Sequence, residues 1–244
     1  MSAPGETLAV LRLYWAQERS AFQFLLFNAF AMPAFVAYLG LMLAGDSLEA
    51  QRWWMAGSIT LGLGMGGLAQ VGFAVLTDRF LGRLDLLRSS PVSKRAYYTA
   101  HVSLAVIESL VLVLVALALL TALGIAAPGP GGIAAGMLAA LCAGSAIGGL
   151  GAALAFGARD FDAGNTAVAI CAIGLAVASP VFYEITALPW VLRPLAWLSP
   201  FTHIAPLLRA VIAGAPVPGA ALAATLGLAL LLNAVSYKLA RWQE

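Results

Sequence analysis

The chain has 244 residues, of which 62% are hydrophobic and only 10% charged, with a formal net charge of +2 and a mean hydropathy of +0.93. A water-soluble domain carries roughly 25% charged residues, so this composition excludes a globule that faces water on every side. Lipid must serve as most of its solvent, and Cys142 and Cys171, both inside apolar runs, offer neither a disulfide framework nor metal-ligand spacing.

The N-terminal stretch "MSAPGETLAVLRLYWAQERSAF" lacks the basic head, apolar core and small-residue cleavage site of a signal peptide, so the first span is expected to stay in the mature protein. Within residues 1–20, Leu8, Leu11 and Trp15 recur at helical spacing while Arg12 and Arg19 fall mostly elsewhere. This pattern reads either as an interfacial amphipathic helix in the headgroups or as a helical lead-in to the first span.

A helix needs about 20 mostly apolar residues to cross a hydrocarbon layer about 30 Å thick. Six segments satisfy this, at about 21–44, 53–77, 97–124, 131–157, 164–187 and 217–239. The expected fold is therefore all-α and integral to the membrane, a single domain over 1–244 with six transmembrane helices. "GLGMGG" at 62–67 superficially resembles a phosphate loop, but no Lys-Ser/Thr follows and no strand precedes it. Inside lipid, Gly62 and Gly66 read instead as a small-residue pair that lets helices approach closely.

Between the second and third spans lies "DRFLGRLDLLRSSPVSKRAYY", the most charged stretch of the chain. Over 78–90 the pattern predicts a short helix with Phe80, Leu84 and Leu87 on one arc and Arg79 and Arg83 to one side. It is ended by Ser89, Ser90 and Pro91, because the residue before proline is pushed out of helical geometry. Such a helix suits either anionic headgroups or a groove on a cytoplasmic protein.

Glu108 is the one acid deep inside a span, and His101 lies two turns earlier on the same face. An ionised group at that depth costs roughly 2.5–3.5 kcal/mol on insertion scales, so it should face the bundle or a cavity. Two readings stand: a polar site on a substrate or proton path, and a hydrogen-bonded packing residue. "ARDFDAG" (Arg159, Asp160, Asp162) reads as a short charged turn.

The segment at 188–214 and the run leading into it combine Pro180, Pro189, Pro194, Pro200 and Pro206 with Trp190 and Trp197. Proline breaks helices into pieces and tryptophan favours the interface. Short re-entrant helices in the outer leaflet are expected, with Arg193 and Arg209 reaching back to water or headgroups. Backbone of this kind must be covered by protein or line a wet cavity, which suits an outer gate.

Orientation follows from the basic residues, which are retained in the cytoplasm. With the N-terminus inside, the inner segments hold Arg12, Arg19, Arg79, Arg83, Arg88, Lys94, Arg95, Arg159, Lys238 and Arg241, and the outer ones only Arg52, Arg193 and Arg209. Both termini and the 78–96 loop are thereby expected in the cytoplasm. His101 and His203 then fall on opposite sides of the membrane and cannot share a metal. No nucleophile elbow, HExxH motif or nucleotide-binding loop is present. The chain is expected not to be an enzyme and to bind no cofactor or nucleic acid itself. Any energy source lies on another chain or in an ion gradient, and an ion-driven transporter or channel using Glu108 is the alternative reading.

The loop carries Gly82, Leu84, Asp85, Leu86 and Leu87, then Ser90, Pro91, Val92 and Ser93. Further on come "SPVFY" at 179–183, Leu188-Pro189 and "SPFTHIAPLLRAVIAG" at 199–214. In order and spacing, over nearly the whole chain, this resembles the type-2 ABC exporter permeases. Asp85 stands where that family usually has glutamate, and Ser199 where it commonly has asparagine. The resemblance implies two permease subunits, identical or paralogous, each resting on a separate nucleotide-binding ATPase that holds ATP and Mg. It implies that Gly82, Arg83, Leu84, Asp85, Leu86, Leu87 and Pro91 form the ATPase-coupling element, assisted by the interfacial helix with Leu11, Arg12, Trp15 and Arg19. Glu108 and His101 would border the translocation path. Pro180, Phe182, Tyr183, Pro189, Pro200, His203 and Arg209 would belong to the outer gate. The location implied is a prokaryotic inner membrane, with export of an amphipathic, lipid-linked, glycan or drug-like cargo.

Overall fold

The computed structural model describes residues 5–13 and 31–240, all helices and connecting turns with no strand among them. Helix α1 covers 5–13, followed by α2 (Met32–Ala44) and α3 (Leu48–Leu63). A π-helical segment, Gly64–Leu68, joins α3 to α4 (Ala69–Phe80) without a break. Then come α5 (Arg83–Arg88), α6 (Lys94–Ala122), α7 (Pro130–Gly157), α8 (Phe161–Ala178), α9 (Arg193–Leu198), α10 (Pro200–Ala213) and α11 (Gly219–Leu239). Trp15, Arg19 and residues 21–30 of the first predicted span lie outside the described residues, and α2 covers most of the rest of that span.

Four helices among those described are long and apolar enough to cross a membrane: Leu48–Phe80, Lys94–Ala122, Pro130–Gly157 and Gly219–Leu239. They coincide with the second, third, fourth and sixth predicted spans. The fifth is shorter than its hydropathy suggests. It stops at Ala178 rather than at 187, because Ser179 precedes Pro180 and takes an extended conformation, φ −89° and ψ 149°.

Close approach of small residues holds the bundle together. Helix α7 packs against α11, α6, α4 and α10, and its glycines let it do so. A methyl group on Gly151 would lie 2.5 Å from the Leu68 carbonyl oxygen, and one on Gly144 would lie 2.7 Å from Val106 Cα. On the α3–α4 helix, Gly64 leaves the space that the Phe201 ring fills. In a bilayer, where lipid tails are as apolar as leucine, this van der Waals contact replaces the hydrophobic drive of a soluble core. The "GLGMGG" run is largely buried, and the close approach falls at Gly64 in the π segment.

Helix α10 is the least expected element. Phe201, Ile204, Leu207, Leu208, Val211 and Ile212 are all buried, so α10 inserts among α3, α7 and α11 instead of lying on the surface. Pro200 starts it at a position where a missing N–H costs nothing.

Candidate functional site: a short charged helix at the basic end

Arg79, Arg83, Arg88, Lys94, Arg95, Arg159 and Lys238 gather where α4 ends, α5 lies and α6 begins. The charged loop forms a shorter helix than its pattern suggests. Residues 78–80 continue α4, and α5 proper is Arg83–Arg88. The chain turns at Gly82, whose φ of +77° lies in the left-handed region that a side chain disfavours. At the far end, Ser90 Oγ donates to the Leu87 carbonyl at 2.7 Å and accepts from Val92 N–H at 3.3 Å, closing the helix before the exposed Pro91. Ser93 then caps α6 by accepting from Ala96 N–H at 3.2 Å.

The faces of α5 are reversed from the expectation of an outward leucine arc. Leu84 is 3% exposed and packs with Leu87 into the chain's own core, whereas Leu81 and Leu86 are 73% and 72% exposed. The exposed surface here is Leu81, Gly82, Asp85 and Leu86. Asp85 pairs with Arg88 at 3.1 Å on that surface. Beneath α5, a cavity of about 620 Å³ is bordered by Arg79, Phe80, Leu84, Arg88, Phe156 and Leu239. Arg79 helps close the end of α7, donating to the carbonyls of Ala155 at 2.6 Å and Ala158 at 3.0 Å.

Several side chains that fix this end gave no clear sign in sequence. Asp78 is fully buried. It accepts from Arg83 Nη1 at 3.2 Å and from Tyr97 Oη at 3.0 Å, and His101 Nε2 lies 3.4 Å from its carboxylate. Glu6 of α1 accepts from Ser93 Oγ at 2.8 Å and from Ser93 N–H at 3.4 Å, seating α1 on the start of α6. In α1 it is Val10 that enters the core; Leu11 is partly buried, and Leu8 and Arg12 are exposed. Tyr98 faces the other way and donates to Asn233 Oδ1 at 2.7 Å, with Ser236 also in hydrogen-bond contact. Asn233 in turn donates to the Ser145 carbonyl at 2.9 Å. Adjacent tyrosines on α6 thus bind it to α4 on one side and to α7 and α11 on the other.

Glu108 sits midway along α6 and is half-buried. His101 shares its face but is engaged with Asp78, about 10 Å away along the helix axis.

At the opposite end, α3, α10, the start of α11 and the 180–186 loop enclose a cavity of about 530 Å³ bordered by Trp53, Pro180, Tyr183, Trp197, His203 and Arg209. His203 Nε2 pairs with the Trp197 carbonyl at 2.9 Å. Arg209 does not reach outward. Its guanidinium lies 3.2 Å above the centre of the Trp53 ring and donates to the Val181 carbonyl at 2.6 Å. Arg193 likewise folds back onto the Thr186 and Leu188 carbonyls. Irregular backbone in a membrane exposes carbonyls that lack helical partners, and these arginines satisfy them. Phe182 stands apart from the cavity, packed against Trp54 at 5.2 Å, and Pro189 is exposed. In the turn before α8, Asp160 accepts from Ala163 N–H at 2.7 Å and acts as an N-cap. The described residues hold no group of three or more His, Cys, Asp or Glu side chains placed to bind a metal.

The chain is thus a bundle of apolar helices with one short charged helix held at its basic end. The family model for the ABC-2 type transporter matches residues 7–213, and the chain belongs to that family. It is a transmembrane permease of an ABC transporter, a membrane transport component. None of the curated proteins matches the chain.

Proposed function

We propose that this permease works as half of an exporter, moving an amphipathic, lipid-linked, glycan or drug-like substrate outward across a prokaryotic inner membrane. Both termini lie in the cytoplasm, where a separate subunit binds ATP and Mg and hydrolyses the nucleotide. Helix α5 docks on that subunit through Leu81, Asp85 and Leu86. A second permease, identical or paralogous, completes the path.

The observation that carries this reading is the pair of faces on α5. Leu84 and Leu87 anchor it inward while two large leucines and an acid stay exposed at the basic end. An exposed Leu–Asp–Leu patch on a fixed helix suits a groove with an apolar floor and a basic rim. Docked in this way, a rigid element passes on the closure of the ATPase pair as a body movement. The exposed apolar faces of α2 (Phe35, Tyr38, Met42) and α11 (Leu226, Leu230, Leu231) provide surface for lipid and for the second permease. The cavity at Trp53, Tyr183 and Arg209 lies where the outer gate would open.

The test is affinity purification of the tagged chain from its native membranes in mild detergent. A co-purifying ATP-binding subunit with vanadate-sensitive ATP hydrolysis is expected. Transport that follows the proton gradient and ignores ATP would overturn the reading.

A further inference from the structure

Two residues, Leu81 and Gly82, separate the end of α4 from the start of α5, and Gly82 is in the left-handed conformation. Such a junction bends easily. A push on α5 would be absorbed there unless something spans it. Asp78, on the last turn of α4, and Arg83, the first residue of α5, face each other across this junction at 3.2 Å. The second oxygen of the same carboxylate accepts from Tyr97 on the first turn of α6, and His101 closes over it one turn later. The Tyr97 and His101 rings pack with centroids 4.5 Å apart, and both residues are almost fully buried. One carboxylate therefore joins three helices.

Burying a carboxylate is unfavourable unless it is paired and fully hydrogen-bonded. Charge-assisted bonds are short and directional, so they fix angles as well as distances. Leu84 and Leu87 could hold α5 against the bundle by apolar contact alone, but such contact is non-directional and permits sliding.

We infer that Asp78 is a positioning residue for coupling: it braces the Gly82 junction so that α5, α4 and α6 move as one body, with Arg83 as its strut and Tyr97 and His101 as its anchor on α6. This inference rests on the reading of α5 as the docking helix. It gives His101 a role in the brace rather than in the substrate path.

The test uses the complex recovered with the co-purifying ATP-binding subunit. Cys142 and Cys171 are replaced by alanine, and spin labels are placed at exposed Ser89, which caps the end of α5 away from its docking surface, and at exposed Leu114 on α6. Distances are recorded without nucleotide and with ATP plus vanadate. In the otherwise unchanged protein one narrow distance is expected, the same in both states. Asp78→Asn and Arg83→Gln should each broaden it and make it nucleotide-dependent while the ATP-binding subunit still co-purifies, and Arg83→Lys should restore the narrow distribution. The double variant should be no worse than either single one, because both changes remove one interaction. Arg83 is partly exposed, so Arg83→Gln keeps the test informative if Asp78→Asn fails to fold. An 89–114 distance that stays narrow in Arg83→Gln, or a lowered melting temperature in Asp78→Asn with no change in that distance, overturns the brace. Failure of the unsubstituted chain to recover any ATP-binding subunit would instead overturn the docking reading.

Discussion

The buried and exposed leucines of α5 give opposite outcomes when perturbed, and the contrast can be worked from burial. Leu84 is 3% exposed and belongs to the hydrophobic core, so Leu84→Ala removes most of a buried side chain and leaves a gap beside a cavity. Such truncations cost about 2–5 kcal/mol, and the adjoining cavity places this one toward the lower end, about 2–3 kcal/mol, because part of the leucine surface already borders open space. Leu86 is 72% exposed, so Leu86→Asp should change stability by no more than about 0.5 kcal/mol. Its effect falls on docking instead. A buried interface leucine contributes about 1.5–3 kcal/mol, and a desolvated carboxylate beside Asp85 adds a further penalty, so affinity for the ATPase should fall at least about tenfold. The assay pairs thermal unfolding in detergent with recovery of the ATP-binding subunit. Leu84→Ala should melt earlier, whereas Leu86→Asp should melt normally and arrive alone. If Leu86→Asp retains the subunit at full yield, the exposed face of α5 is not the docking surface.

Three further outcomes follow from the packing and the site. Gly151→Val should abolish folded protein in size-exclusion profiles, because a Cβ there meets the Leu68 carbonyl at 2.5 Å and backbone cannot yield as a side-chain tip can. Asp160→Ala should lower stability by about 1 kcal/mol through loss of the α8 cap, and Asp160→Asn should restore most of it in the same melting assay. Glu108→Gln should impair transport of the native cargo while leaving insertion and ATPase recovery unchanged; full transport would assign Glu108 to helix packing.

Four of the six expected spans were legible because hydropathy over about 20 residues is a strong signal and needs no knowledge of neighbours. Turn chemistry was legible for the same local reason. Ser90-Pro91 closes α5 as the pattern predicts, but the span drawn to 187 passed over Ser179-Pro180, which ends α8 at Ala178. What escaped depended on partners distant in the chain. Periodicity identifies the Leu84/Leu87 arc but not whether it faces the chain's own bundle or another protein. Asp78 looked like one more charge in a charged loop, since its anchors Tyr97 and His101 lie a loop away on α6. Arg209 looked like an outward snorkel because nothing local shows that it lies over Trp53 and caps the Val181 carbonyl. The Asn233 node joins α6, α7 and α11, and no sequence spacing announces it.

The most direct test of α5 as the docking element is a cross-link from its exposed face. With Cys142 and Cys171 removed, a single cysteine at Leu86 carrying a short photo-reactive maleimide should join the permease to its ATP-binding subunit in native membranes. The same probe at buried Leu84 should not. Cross-linking of Leu86 only to lipid, while the ATP-binding subunit co-purifies through another surface, would contradict the account.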